Sequence, residues 1–442
     1  MKTFLWRFVP PVLRPYLHRI ESSPLGVRLA RGTFWSFVGS VAQRGLALVA
    51  SIFVARVLGK VGFGELGIVQ GTVMMFSVLA GFGLGMTGTK YVAEFRRKDP
   101  AKAGRTIALS RGVAWVTGAC MMVGLMALAP VLAERTLAAR HLSPLLRLAA
   151  ITLLFSSING AQMGALTGFE AFKTISQVNV WSGLVTFGLT VAGAYWGGIK
   201  GAVGGLVAAQ AITCVIGGRA LRRTAAGAQV PVSFRGCLQE SGVLWKFSLP
   251  SVLTGLLVWP VNWICSAVLV NQPNGYGEMG LFNAANQTRT LLLFVPNLLV
   301  GTLFPILTSL HAENDRRRFK KVLWSLQALN CGAVLVLALA AAALAPLIMR
   351  LYGAEFAKGA DSLILLAFCA VPIAFTNGAT QAFASTGRMW LCVLFVTGWA
   401  LLTLVLTLVL VPRSLALGLA LVNLISNSVN AASQALFFVG NR

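Results

Sequence analysis

The chain has 442 residues, a mean hydropathy of +0.77, 57% hydrophobic residues and only 11% charged ones, against roughly 25% charged in an average soluble domain. That much apolar surface excludes a water-soluble fold, and the long unbroken apolar runs exclude a β-barrel, whose strands alternate over short segments. The net charge of +25 sits mostly in short loops between those runs, which points to membrane orientation and away from nucleic acid.

Residues 1–32 carry six Lys or Arg, and their first apolar stretch is broken by Pro10 and Pro11 with no small-residue cleavage site behind it. They are expected to be a cytosolic basic surface segment rather than a signal peptide, with Trp6, Arg7, Arg14, Tyr16 and Arg19 on the leaflet. A bilayer-spanning helix needs roughly 20 mostly apolar residues. Six such runs follow, at 33–57, 64–89, 108–132, 148–168, 175–197 and 201–218. A basic linker over 219–246 is predicted to be cytosolic. Six more runs come after it, at 247–270, 280–307, 322–349, 361–386, 389–411 and 415–439. The expected fold class is an all-α polytopic membrane protein of about 12 transmembrane helices, in two six-helix bundles over 33–218 and 247–442.

Orientation follows from loop charge. With the N-terminus inside, the inner segments hold 25 Lys and Arg and the outer ones 8, a bias that places both termini in the cytosol. The other four, Arg44, Arg56, Arg111 and Arg289, lie within spans or at their edges.

The chain also repeats itself. Phe63-Gly64-Glu65-Leu66-Gly67-Ile68 returns as Tyr276-Gly277-Glu278-Met279-Gly280-Leu281, an offset of 213. Asn159-Gly160-Ala161 returns as Asn377-Gly378-Ala379, and Ala202-Val203-Gly204 as Ala416-Leu417-Gly418, at similar offsets and in the same order. Six helices per half is an even number, so the halves share one orientation. Such parallel repeats face each other across a central cavity and rock about it.

An ionisable residue deep in the bilayer is costly and marks function by default. Arg44 lies eleven residues into the first span, about 16 Å at 1.5 Å per residue, on a stripe with Ser36, Ser40, Gln43 and Ser51. It either faces a substrate in the cavity or pairs within the bundle. Arg289 shares its span with Asn283, Asn286 and Gln287, and either binds a ligand or snorkels to the interface. Arg56 and Arg111 sit near helix ends, where snorkelling fits best; Arg56 is also within reach of Glu65 across the short loop. Pro260, beside Trp259 and near Asn262, should kink the seventh span, as a packing kink or as a hinge. Gly160, Gly164 and Gly168 form a close-packing face on the fourth span.

None of the twelve acids falls clearly inside a span interior. A cationic cavity without carboxylates favours an anionic substrate, such as a phosphate or diphosphate group. Six of the seven cysteines lie in apolar runs, with only Cys237 in a loop, so neither a disulfide framework nor a metal site is indicated. The three histidines, His18, His141 and His311, are scattered outside the spans, the outer loops are short, and there is no GxxxxGK[ST] phosphate loop. An enzyme is not expected, and neither is a cofactor.

The stretch from Gly32 through Arg56-Val57-Leu58-Gly59 and on to Phe63-Gly64-Glu65-Leu66-Gly67 resembles the opening of the polysaccharide-transporter family, the O-antigen-type flippases of the MATE-like exporter superfamily. Phe247-Ser248-Leu249-Pro250, Asn262-Trp263, Gly277-Glu278-Met279-Gly280-Leu281-Phe282 and Phe304-Pro305 are similar to the start of that family's second half. The resemblance implies a MATE-like fold in a bacterial inner membrane. It implies movement of an undecaprenyl-diphosphate-linked oligosaccharide to the outer leaflet, with membrane lipids and polysaccharide assembly proteins as partners. It also implies a cationic cavity, for which Arg44 and Arg289 are the available residues, with Gln43, Asn262 and Asn286 as further binding candidates. The chain departs from the family at Cys265, where relatives often carry an acid, so ion coupling has no obvious carrier. The alternative is a multidrug or small-molecule exporter of the same fold.

Overall fold

The computed structural model describes residues 24–81, 83–233, 236–237, 249–294, 307–308, 310 and 316–440. Residues 1–23 of the surface segment predicted over 1–32, most of the linker after Ser233 and the end of the eighth predicted span lie outside the described residues. All regular structure among the described residues is helical. Lipid offers no partner for backbone N–H and C=O groups, and a helix satisfies them internally.

In chain order the helices are α1 (Pro24–Gly81), α2 (Leu84–Phe95), α3 (Pro100–Val131), α4 (Ser143–Gly168), α5 (Phe172–Gly227), α6 (Leu249–Val270), α7 (Gly275–Leu292), α8 (Arg316–Ala343), the short α9 (Ala345–Tyr352), α10 (Ala360–Ser385) and α11 (Met389–Gly440). Seven helical stretches among the described residues are long and apolar enough to cross a membrane.

Three helices are far too long for one crossing. The 56 residues of α5 would reach about 84 Å if straight, against a hydrocarbon core of about 30 Å. Each breaks once. Gly59 in α1 (φ 67°, ψ 178°), Gly198 in α5 (φ 56°, ψ −140°) and Leu415 in α11 (φ 50°, ψ −125°) leave helical geometry. The two arms of α5 fold against each other so closely that a methyl group on Gly193 would overlap the carbonyl oxygen of Gly201, and the reverse. In α11 a methyl group on Gly418 would stand 3.2 Å from the Val411 Cα. Gly adopts the left-handed region without penalty. Leu415 does not, but its turn lets the Ala416 N–H donate to Glu278 Oε2 at 3.4 Å.

The largest apolar core joins residues from before and after the linker. Val54, Phe63 and Leu66 pack with Met279, Met349, Tyr352 and Phe356 at the end of the molecule that carries Lys60. A smaller core of Val92, Ile107, Leu166, Phe169 and Leu221 sits at the opposite end, near Arg96, where Arg96 pairs with Glu170. Of the three predicted α4 glycines two pack on α2: a methyl group on Gly164 would overlap Gly85, and one on Gly168 would stand 2.7 Å from Val92 Cβ, whereas one on Gly160 would meet nothing within 4 Å. Large apolar side chains cover the outside instead of hiding within, with Trp390, Trp196 and Leu436 exposed at 84%, 83% and 71%. Lipid is the solvent that tolerates such a girdle.

Candidate functional site

A cavity of about 500 Å³ lies between α1, α6 and α7, with α5 and α11 completing its wall. Among the described residues Arg289 is the charged group of its lining, which contains no Asp, Glu, Lys or His. The polar wall is otherwise neutral, with amides from Gln70, Asn262, Asn283, Asn286, Gln287 and Asn423 and hydroxyls such as Ser51 and Thr186. Trp259, Trp263, Phe63 and Phe282 provide flat apolar faces. Amide donors and acceptors beside aromatic planes suit a hydroxyl-rich ligand, and a guanidinium suits a phosphate-type anion.

The α7 helix places these groups. Asn283, Asn286, Gln287 and Thr290 recur at helical spacing with Arg289 between them, so one face of α7 turns toward the cavity. Arg289 Nη1 donates to Asn423 Oδ1 at 3.0 Å and approaches Cys369 Sγ at 3.8 Å. Asn286 Oδ1 and Asn283 Nδ2 are buried and have no hydrogen-bond partner among the described residues. Across the cavity, Asn262 Nδ2 donates to the Val258 carbonyl at 2.8 Å. Trp263 Nε1 donates to Thr72 Oγ1 at 2.8 Å, tying α6 to α1.

Of the residues singled out from the sequence, Arg289, Asn262 and Asn286 line this one cavity. Gln43 and Arg44 do not. The Gln43 backbone lies in the α1–α5 packing, its Cα 3.2 Å from where a Cβ on Gly183 would stand. Arg44 is exposed one turn before Ala47, which does line the cavity, and its guanidinium carbon stacks 4.7 Å from the centre of the Phe294 ring. Pro260 sits inside α6, which continues through it to Val270. Arg56 donates from Nε to the Leu351 carbonyl at 2.7 Å, while Glu65 pairs with His141 at 2.7 Å. Arg56 and Glu65, read together from sequence, therefore have separate partners. Among the described residues no group of His, Cys, Asp and Glu is arranged to hold a metal ion.

Sequence reasoning passed over Asn423 and Cys369, which contact the Arg289 guanidinium, and Asn427, which contacts both of them. A signal existed. Asn423, Asn427, Asn430 and Gln434 recur at helical spacing inside the apolar run of the last span, a polar stripe that had to face something other than lipid.

Among the described residues, contacts between the parts of the chain before and after the linker gather at the Lys60 end. Ser51 Oγ meets the Tyr352 hydroxyl at 3.4 Å, Asn271 Nδ2 donates to the Thr136 carbonyl at 2.6 Å, and the Tyr276 hydroxyl donates to the Leu137 carbonyl at 2.7 Å. Toward the Arg96 end, Phe294 stacks with Phe37 at 6.0 Å and beneath Arg44.

A family model described as polysaccharide biosynthesis protein matches residues 29–311. The EPS I polysaccharide export inner membrane protein EpsE of Ralstonia nicotianae is 28% identical over 254 residues, covering 55% of this chain and 56% of that protein. The chain thus spans about half the length of this curated relative. Among solved structures, a multidrug resistance MATE family transporter of the MOP superfamily in an inward-facing conformation superposes with a TM-score of 0.75 at 15% identity, covering 92% of this chain and 98% of that one. An outward-facing conformation of a transporter so described gives 0.70 at 16% identity, with 93% and 94% covered. At these identities the likeness establishes the fold: an all-helical, polytopic, MATE-like membrane protein.

Proposed function

The chain belongs to the polysaccharide biosynthesis protein family, and on that premise we propose that it carries an undecaprenyl-diphosphate-linked oligosaccharide from the inner to the outer leaflet by alternating access. It is a membrane transport protein and not an enzyme. The observation that carries the reading is the cavity, whose lining among the described residues has Arg289 as its charged group and a wall of amides and tryptophans without a carboxylate. A guanidinium fits the diphosphate, since its planar fork matches phosphate oxygens. The amides and ring faces fit the sugars.

The finer architecture belongs to the same proposal. The breaks in α1, α5 and α11 support a reading of about twelve crossings, in two six-helix bundles over 33–218 and 247–442 joined by a cytosolic linker over 219–246. The bundles rock about the cavity, with the Lys60 end facing outward and both termini in the cytosol of a bacterium whose inner membrane holds the protein. The described contacts gathered at the Lys60 end support an inward-facing reading of this state. Arg44 is the cation toward the cytosolic side, met by the diphosphate before Arg289.

The alternative reading, a multidrug exporter, draws on the fold neighbours. A site for cationic drugs calls for a carboxylate, and the lining has none among the described residues. Deletion decides between them. Cells lacking the protein are expected to accumulate lipid-linked glycan on the cytosolic leaflet; normal glycan flipping together with heightened drug sensitivity would favour the exporter.

A further inference from the structure

The charge of the cavity depends on what holds it in place. Among the described residues the Arg289 guanidinium has partners on two other helices, Asn423 on α11 and Cys369 on α10, and both are neutral. Asn427, one turn beyond Asn423, donates from Nδ2 to the Asn423 carbonyl at 2.8 Å and approaches the Cys369 sulfur at 3.7 Å. The Asn423 amide is itself fixed, because its Nδ2 donates to the Leu419 carbonyl at 2.9 Å. That bond turns Oδ1 toward Arg289, and Asn423 is only 7% exposed, so the amide has one orientation that satisfies both ends.

Neutrality at this position has a consequence. A carboxylate would accept the Arg289 hydrogen bond more strongly and form a fork with it, but it would also cancel the charge and occupy the face that an anion needs. An amide oxygen aims the guanidinium while leaving its full positive charge for a ligand. An apolar residue would leave the charge and lose the aim.

We propose that Asn423 is the specificity-determining residue of the cavity, positioning Arg289 through its amide oxygen while leaving the guanidinium uncompensated for a lipid-linked diphosphate. This rests on the anionic-substrate reading above and adds to it the residue that keeps the site anion-selective. It predicts an order of variants that packing alone would reverse. Asp and Ala both lose the bond to the Leu419 carbonyl, but Asp keeps nearly the shape of Asn and an acceptor for Arg289, so a purely structural role tolerates Asn423→Asp better than Asn423→Ala.

The test is binding of farnesyl diphosphate to the purified full-length protein in nanodiscs, followed by calorimetry. Arg289→Ala should weaken binding at least tenfold. Asn423→Asp should weaken it as much, and Asn423→Ala only about threefold. Should Asn423→Asp not yield a folded, monodisperse protein, Asn427→Asp brings a carboxylate to the same cluster and should weaken binding at least fivefold. Binding by Arg289→Ala equal to that of the unaltered protein would overturn the anionic reading of the cavity. Loss in Arg289→Ala, with Asn423→Asp binding better than Asn423→Ala, would leave that reading standing and overturn the role of Asn423. Binding by Asn427→Asp within twofold of the unaltered protein would overturn it equally.

Discussion

A methyl group on Gly64 would overlap the carbonyl oxygen of Tyr276 and stand 2.9 Å from the Gly280 nitrogen. Across the same line, a methyl group on Gly280 would overlap the Lys60 carbonyl. The two copies of the repeated string, 63–68 and 276–281, are therefore pressed directly together, backbone to backbone. The repeat is a matched pair of small-residue surfaces, and it forms the joint between the two parts of the chain at the Lys60 end.

Backbone cannot yield as a side chain can. Gly64→Ala is expected to cost about 1–3 kcal/mol, the range for overpacking a tight interior. Gly277→Ala, whose nearest neighbour would be the Asn274 side chain at 3.1 Å, should cost less. Thermal unfolding of the two variants in the same detergent checks the order.

Gly67 gives the opposite kind of prediction. A methyl group there would run into the amide of Asn283, which lines the cavity. A side chain can move aside, so Gly67→Ala should leave stability nearly unchanged while displacing Asn283 and lowering transport several-fold. Comparison of unfolding temperature with transport rate separates the two effects.

Arg44 stacks on the buried Phe294 ring but remains exposed itself. A cation–π contact at an exposed site contributes about 0.5–1 kcal/mol, so Arg44→Ala should unfold almost as the unaltered protein does. Transport is expected to fall at least tenfold, with partial recovery in Arg44→Lys. Full activity in Arg44→Ala would remove the residue from the substrate path.

The proposed orientation predicts where a reporter fused after Arg442 ends up. A fluorescent protein that matures only in the cytosol should be bright in such a fusion, and an alkaline phosphatase, active only outside the cytosol, should be silent.

Much of the fold was legible because lipid enforces a simple rule, and apolar runs with charged punctuation mark the helices directly. Arg289, Asn262 and Asn286 were legible for the same reason, as polar groups in runs that have no water to face. Two things were not. The turn at Leu415 puts a leucine where glycine would be expected, and what offsets it is Glu278, far away in sequence. The partner of Arg289 is Asn423, 134 residues on, a distance that no local pattern spans. Likewise the stacking of Arg44 on Phe294 depends on how α1 meets the end of α7, which hydropathy does not record.

The central claim is that Arg289 holds the diphosphate of a lipid-linked oligosaccharide during transfer between leaflets. The most direct measurement is translocation of a labelled undecaprenyl-diphosphate-linked oligosaccharide across proteoliposomes containing the purified protein, compared with Arg289→Ala of equal folded content. The unaltered protein should move the lipid and the variant should lose at least nine-tenths of that rate. Equal rates in the two would contradict the account.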